Sequence, residues 1–188
     1  MPDGARISGP HSTALLTAPN LITLARIGAV PLAVWLVLRQ DLSLAFWLFL
    51  AAGVSDAIDG WLARRGSSSV IGAILDPVAD KALLVSMYVT LAAVGELPPW
   101  LAILVVFRDL VIVGGILCLS FIGVRVAIKP LRISKFNTVL QITLVALVLL
   151  ISGWHLAIPA LVDALVVCVA LSTCASGAAY VWQWTARR

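Results

Sequence analysis

Apolar residues run through this chain in long unbroken stretches, not in strict alternation and not as a one-sided stripe. Six stretches are each long enough for a helix crossing a bilayer, which takes ~20 mostly apolar residues. They cover residues 21–38, 42–63, 72–94, 99–122, 134–152 and 157–182. Continuous runs argue against a strand barrel, whose segments alternate. The breaks have local causes. Arg39, Gln40 and Asp41 make the first turn, and Arg64 to Ser69 is a charged Gly/Ser loop. Gly95 to Pro99 is Pro-rich, Gly123 to Pro130 is a basic linker, and Ser152 to His155 is the last turn. The expected fold is an all-α integral membrane protein of six transmembrane helices. One domain covers 19–188, after a cytoplasmic or interfacial segment over 1–18 whose stretch near 12–20 is a candidate short interfacial helix.

Composition supports this reading. Hydrophobic residues are 62% of the chain and charged residues 12%, against ~25% charged in an average soluble domain. That balance excludes disorder, a basic nucleic-acid binder and an ordinary soluble enzyme, which could not bury so much apolar surface. The net charge of +4 matters through its placement. Arg64 and Arg65 follow the second span; Arg125, Lys129, Arg132 and Lys135 follow the fourth; Arg187 and Arg188 end the chain. The opposite side carries only Arg39. The positive-inside rule then puts both termini in the cytoplasm. Trp61, Trp100, Trp154, Trp182 and Trp184 fall near span ends, as interfacial anchors do. Cys118, Cys168 and Cys174 show no disulfide or zinc spacing and are expected to be small buried hydrophobes. Pro2, Asp3, Pro10 and Pro19 leave no apolar core for a cleavable signal peptide.

Four of the 9 acidic residues, Asp56, Asp59, Asp76 and Asp80, lie within or at the mouths of the second and third spans. An ionisable group inside a membrane is costly and marks function. Asp56 and Asp59 are about 60° apart on a helix, and Asp76 and Asp80 about 40°. A short connecting loop makes the two helices antiparallel neighbours, with both pairs converging near the cytoplasmic mouth. Four carboxylates in one pocket cannot all stay ionised unaided. Divalent cations remove the conflict, and hard oxygen ligands suit Mg²⁺, Mn²⁺ or Ca²⁺. Four carboxylates carry charge for two such ions, a pairing that characteristically clamps phosphates. Gly60 lets a ligand approach the backbone, Ala63 keeps the helix face low, Arg64 is a phosphate-grade cation at the mouth, and Gly72 permits close helix approach.

Read together, Asp56-x-x-Asp59-Gly60-x-x-Ala63-Arg64, seven residues, then Gly72-x-x-x-Asp76-x-x-x-Asp80 resembles the signature of the CDP-alcohol phosphatidyltransferases, matching at every fixed position. The resemblance implies a homodimeric membrane enzyme that moves a phosphatidyl or related group from a CDP-linked donor to an alcohol and releases CMP. It implies that Asp56, Asp59, Asp76 and Asp80 hold two cations, Mg²⁺ or Mn²⁺, and that Asp80 is the general base. Gly60, Ala63, Arg64 and Gly72 would line the CDP site.

Other residues bear on the acceptor. Arg108 and Asp109 sit inside the fourth span, Lys81 follows Asp80, and Arg132, Lys135 and Asn137 enter the fifth. Cations near a metal site read as an anion pocket for a phosphorylated acceptor. The competing reading pairs Arg108 with Asp109 or a motif aspartate and leaves Arg132 and Lys135 to topology. Leu75 to Lys81 and Pro19 to Arg26 resemble the branch holding phosphatidylglycerophosphate synthases and CMP-forming cardiolipin synthases. Arg108-Asp109-Leu110, Ile133 to Thr138 and Ala175 to Tyr180 are more similar to the latter. The implied donor is CDP-diacylglycerol and the implied acceptor phosphatidylglycerol, with glycerol-3-phosphate as the alternative. Bacterial and mitochondrial inner membranes are both compatible settings; the lack of an Arg-rich, Ser-rich presequence favours the bacterial one, with the active site cytoplasmic. An ion-coupled transporter is the reading from another class. It is disfavoured because no half of the sequence repeats and the acids cluster at one side.

Overall fold

The computed structural model describes residues 18–63, 70–121 and 132–185. It contains six helices in order: α1 (Ala18–Leu38), α2 (Leu42–Ala63), α3 (Val70–Ala93), α4 (Pro99–Phe121), α5 (Arg132–Gly153) and α6 (Pro159–Thr185). Their bounds fall within a few residues of the six apolar stretches. Among the described residues, Ile133–Gly153 and Pro159–Tyr180 are long and apolar enough to cross a membrane, and Ala25–Leu38, Leu42–Ser55 and Lys81–Ala93 are shorter apolar lengths.

The odd-numbered helices α1, α3 and α5 end in the same way. Gln40, Gly95 and His155 take left-handed backbone conformations, with φ of 62°, 86° and 52°. The next residue in each case donates its amide five positions back: Asp41 to Leu36, Glu96 to Leu91 and Leu156 to Ile151, each at 2.9 Å. These are Schellman caps, which satisfy the last carbonyls and reverse the chain within a few residues. Side-chain bonds join the three turns at one end of the bundle. Ser43 Oγ donates to the Gly153 carbonyl at 2.7 Å, and Ser152 Oγ donates to the Glu96 carboxylate. The start of α2 therefore lies beside the ends of α3 and α5, so α2 runs opposite to both. Gly153 is required here, because a Cβ would stand 2.8 Å from the Ser43 backbone nitrogen.

Packing closes two rings of four helices. α1 packs on α2, α2 on α5, α5 on α3 and α3 on α1; α3 also packs on α4, α4 on α6 and α6 on α5. The rings share the α3–α5 edge. Among the described residues α2 and α3 do not pack on each other. They occupy opposite corners of the first ring with α1 and α5 between them, which corrects the expectation that a short loop makes them direct neighbours. The core includes Ala33, Val37, Ala45, Tyr88, Leu91 and Leu144, all fully buried.

Large apolar side chains also cover the outside. Trp35, Trp47, Val89, Phe107, Val139 and Leu171, one from each helix, are all exposed. The same surface overturns the expectation for the cysteines: Cys168 and Cys174 are exposed on α6. In a chain that meets lipid, an apolar side chain has no need to turn inward, so apolarity alone does not imply burial. The side chain of Cys118 lies outside the described residues. Trp100, Trp154 and Trp182 are exposed, which suits interfacial anchoring, and the side chains of Trp61 and Trp184 lie outside the description.

Candidate functional site

The inward faces of α2 and α3 define where the acidic positions fall. On α2 the buried residues are Leu42, Ala45, Phe49 and Ala52, a helical spacing of three and four whose next members are 56, 59 and 63. On α3, Leu84, Met87, Tyr88 and Leu91 are buried, and the same stripe continues backwards through 80 and 76. All four motif aspartates thus occupy backbone positions that prolong the core stripes of two helices at opposite corners of one ring. Their depths match. At ~1.5 Å per residue, position 56 lies roughly 21 Å from the start of α2 and position 80 roughly 20 Å from the end of α3. Both of those helix ends lie at the capped end of the bundle, bridged by the end of α5, so backbone positions 56 and 80 fall at similar depth toward the opposite end. Gly60 and Ala63 follow in the last turns of α2, and Gly72 lies in the first turn of α3. Arg64 lies outside the described residues, as do the side chains of the other motif positions. Arg26, 3% exposed, continues the inward stripe of α1 through Ala29 and Ala33.

The second ring holds a described network. Asp109 accepts from two cations on two helices: Lys81 Nζ at 2.6 Å on one carboxylate oxygen and Arg108 Nη1 at 2.7 Å on the other. Arg108 is 4% exposed. Its Nη2 donates to Ser134 Oγ on α5 at 2.7 Å and to Ser176 Oγ on α6, and its guanidinium carbon stands 6.0 Å from the Tyr180 ring centre. One arginine therefore ties α4, α5 and α6 together, and Asp109 adds α3 through Lys81. A buried charge persists only when paired and hydrogen-bonded, and both conditions hold here. Of the two readings open at the sequence level, pairing with Asp109 is what Arg108 does, yet this uses only one of its three nitrogens.

One turn further into α5, Asn137 is fully buried. Its Oδ1 accepts from Ser172 Oγ at 2.7 Å and Thr173 Oγ1 at 2.9 Å. Gln141, also fully buried, donates to Thr173 Oγ1 at 3.5 Å, and Tyr88 donates its hydroxyl to the Gln141 backbone carbonyl. The structure thus brings Arg108 and Asn137 to one polar seam. It does not bring Lys135 there: that residue is exposed and off the stripe of Asn137, Gln141 and Val148. Arg132 is the first residue of α5, and its side chain lies outside the description. Ser134 and Ser176 sit inside segments the sequence marks, but a lone serine in an apolar run carries no signal of its partner. Gln141 and Thr173 were equally silent; a polar residue recurring on the inward stripe of an apolar helix was the only available sign.

Among the described residues no cluster of three or more His, Cys, Asp or Glu forms a metal site; the four motif side chains fall outside that set. The donor chemistry of the motif, four carboxylates, suits hard divalent cations.

A family model described as CDP-alcohol phosphatidyltransferase matches residues 16–182. The chain belongs to this family. It is 30% identical over 181 residues to a cardiolipin synthase (CMP-forming) from Rattus norvegicus, covering 87% of this chain and 60% of that one. It is 37% identical over 153 residues to a chloroplastic CDP-diacylglycerol–glycerol-3-phosphate 3-phosphatidyltransferase from Oryza sativa subsp. japonica, covering 72% and 46%. It is 32% identical over 191 residues to a probable phosphatidylglycerophosphate synthase from Mycobacterium tuberculosis, covering 96% and 86%. The chain spans less than two thirds of the length of the rat and rice relatives.

Proposed function

We propose that this protein is a phospholipid-synthesising transferase that moves the phosphatidyl group of CDP-diacylglycerol to phosphatidylglycerol, giving cardiolipin and CMP. The observation that supports the reading is the Arg108 network, which Asp109 joins through Lys81 to α3, the helix whose sequence carries Asp76 and Asp80. The four motif aspartates are read as one acidic layer beside it. α3 is the common wall, with Asp80 and Lys81 successive residues about 100° apart on it.

In this reading Asp56, Asp59, Asp76 and Asp80 hold two divalent cations, Mg²⁺ or Mn²⁺. Cations held there would supply the positive charge that neutralises the pyrophosphate as its anhydride breaks. Gly60, Ala63 and Gly72 leave room for the cytidine diphosphate, and Arg64 meets its phosphates. Arg108 takes the phosphodiester of the acceptor, with Asn137 beside it, and Arg132 and Lys135 add positive charge at the mouth. Asp80 removes the proton from the acceptor's terminal hydroxyl. That oxygen bonds to the diacylglycerol-bearing phosphorus, the phosphoanhydride bond breaks, and CMP departs with the electron pair. The donor's tails stay in lipid while its head group reaches the acidic layer.

All six helices cross the membrane in this proposal, with the acidic layer and both termini cytoplasmic; apolar exposure on every helix supports it. A homodimer in a bacterial inner membrane is part of the same proposal. Glycerol-3-phosphate is the second reading for the acceptor, favoured by the rice and Mycobacterium relatives, and the same cation network would serve it.

The test is a product assay. Purified protein receives CDP-diacylglycerol, Mg²⁺ or Mn²⁺, and one acceptor per reaction, with a chelated control. Metal-dependent cardiolipin and CMP from phosphatidylglycerol are expected. Phosphatidylglycerophosphate from glycerol-3-phosphate alone would move the enzyme to the second reading. CMP from neither reaction, with donor binding intact, would reject both.

A further inference from the structure

We infer that Asn137 and Gln141 form a hydroxyl subsite, which binds the non-reacting secondary hydroxyl of a phosphoglycerol head group. The inference rests on the function proposed above and deepens it: Asn137 gains a specific role at the acceptor, and Gln141 is added.

Both amides are fully buried, and each is satisfied at only one end. Asn137 Oδ1 and Gln141 Nε2 meet at the Thr173 hydroxyl, at 2.9 and 3.5 Å. The other ends, the donor Asn137 Nδ2 and the acceptor Gln141 Oε1, have no partner. Buried amide ends in an apolar bundle are seldom left this way, because each loses its hydration without replacement. The two free ends are of opposite sense, one turn apart on α5, and their bonded ends meet at Thr173. What satisfies both is a group that accepts once and donates once. A hydroxyl does so, whereas a carboxylate cannot donate to Gln141 and an ammonium cannot accept from Asn137.

A third unpartnered atom lies on the same seam. Arg108 Nε is buried and without a partner. Its guanidinium is fixed to Ser134 and Ser176, three positions from Asn137 on α5 and three from Thr173 on α6. Three residues of helix rise are about 4.5 Å. The seam therefore offers a cationic donor for an anionic oxygen and, one turn deeper, a matched site for a hydroxyl. A phosphate carrying a glycerol supplies both in one molecule. Its terminal hydroxyl is left free to react, whether the phosphate belongs to phosphatidylglycerol or to glycerol-3-phosphate.

The test compares each acceptor with its analogue lacking the secondary hydroxyl: phosphatidyl-1,3-propanediol against phosphatidylglycerol, and 3-hydroxypropyl phosphate against glycerol-3-phosphate. Wild-type protein and Gln141→Leu, which keeps the volume, are assayed with whichever acceptor the wild type turns over. The wild type is expected to prefer the hydroxylated acceptor by about tenfold in kcat/KM, the worth of two buried hydrogen bonds. Gln141→Leu is expected to cut that preference to about threefold, the part Asn137 still holds, mainly through the KM for the hydroxylated acceptor, with the analogue's kcat/KM changed far less. An equal loss with both acceptors would assign the amides to a structural water or to packing and overturn the inference. The wild-type comparison does not depend on the variant folding: no preference there overturns the subsite alone. No product from either hydroxylated acceptor overturns the underlying function instead.

Discussion

Lys81 and Asp109 meet at 2.6 Å and join the helix that carries two motif aspartates to the helix that carries Arg108. Lys81 immediately follows Asp80, so the second carboxylate pair of the motif is anchored in register to the cation network of the neighbouring ring. Asp109 splits its two oxygens between Lys81 and Arg108, and replacing it tests the whole connection.

Asp109→Ala leaves Arg108 buried without its counter-ion. The expected loss is about 3 kcal/mol of stability, typical of breaking one side of a buried pair, read as a lower unfolding temperature in detergent. Lys81, whose side chain is 42% exposed, contributes little to that loss through solvent screening. Asp109→Asn keeps the shape and loses the charge. It is expected to retain fold and donor binding while acceptor KM changes, since Arg108 is then free to reorient. Unchanged acceptor kinetics in Asp109→Asn would confine the residue to stability.

Arg108→Lys is not a conservative change here. A lysine ammonium cannot reach Asp109, Ser134 and Ser176 together as the planar guanidinium does. Acceptor KM should rise by at least about tenfold, the scale of one charged hydrogen bond, with donor affinity held. Equal loss of donor and acceptor binding would point to collapse of the α4–α6 packing instead.

Asp80→Asn removes the proposed base. Turnover is expected to fall by about a hundredfold or more, while CDP-diacylglycerol still binds in an equilibrium measurement. Turnover near the wild-type rate would remove Asp80 from the proton-transfer role.

Gly153→Ala probes the capped end, far from the acidic layer. The new Cβ would meet the Ser43 backbone at 2.8 Å and force α5 from α2. A loss of about 1–3 kcal/mol is expected, as for other overpacked sites, with KM values unchanged in the protein that remains folded. Wild-type stability would show that the α2–α5 contact is looser than described.

Much of this architecture is legible in the amino-acid order, for one reason. A helix in a bilayer must satisfy its own backbone hydrogen bonds over the membrane thickness, so such a helix is written as an apolar run, and here Arg, Gly and Pro turns mark the ends of the six helices. Asp56 and Asp80 were legible because charge in such a run is rare. Arg108 and Asn137 were visible on the same ground. Ser134, Ser176, Thr173 and Gln141 were not, since small polar residues are common in membrane helices and declare themselves only through a partner. The exposed Cys168 and Cys174 show the converse: hydropathy cannot tell a side chain facing lipid from one facing protein.

The order of residues alone determined six helices, the family motif and the identity of the acids, because these depend on local hydropathy and spacing. Tertiary structure decided that α2 and α3 stand at opposite corners of a ring rather than side by side. It also decided that Asp109 serves two cations, and that Arg108, Asn137 and Gln141 line one seam. Which helix packs on which follows from side-chain fit summed over the whole bundle, and no local pattern along the chain encodes that sum.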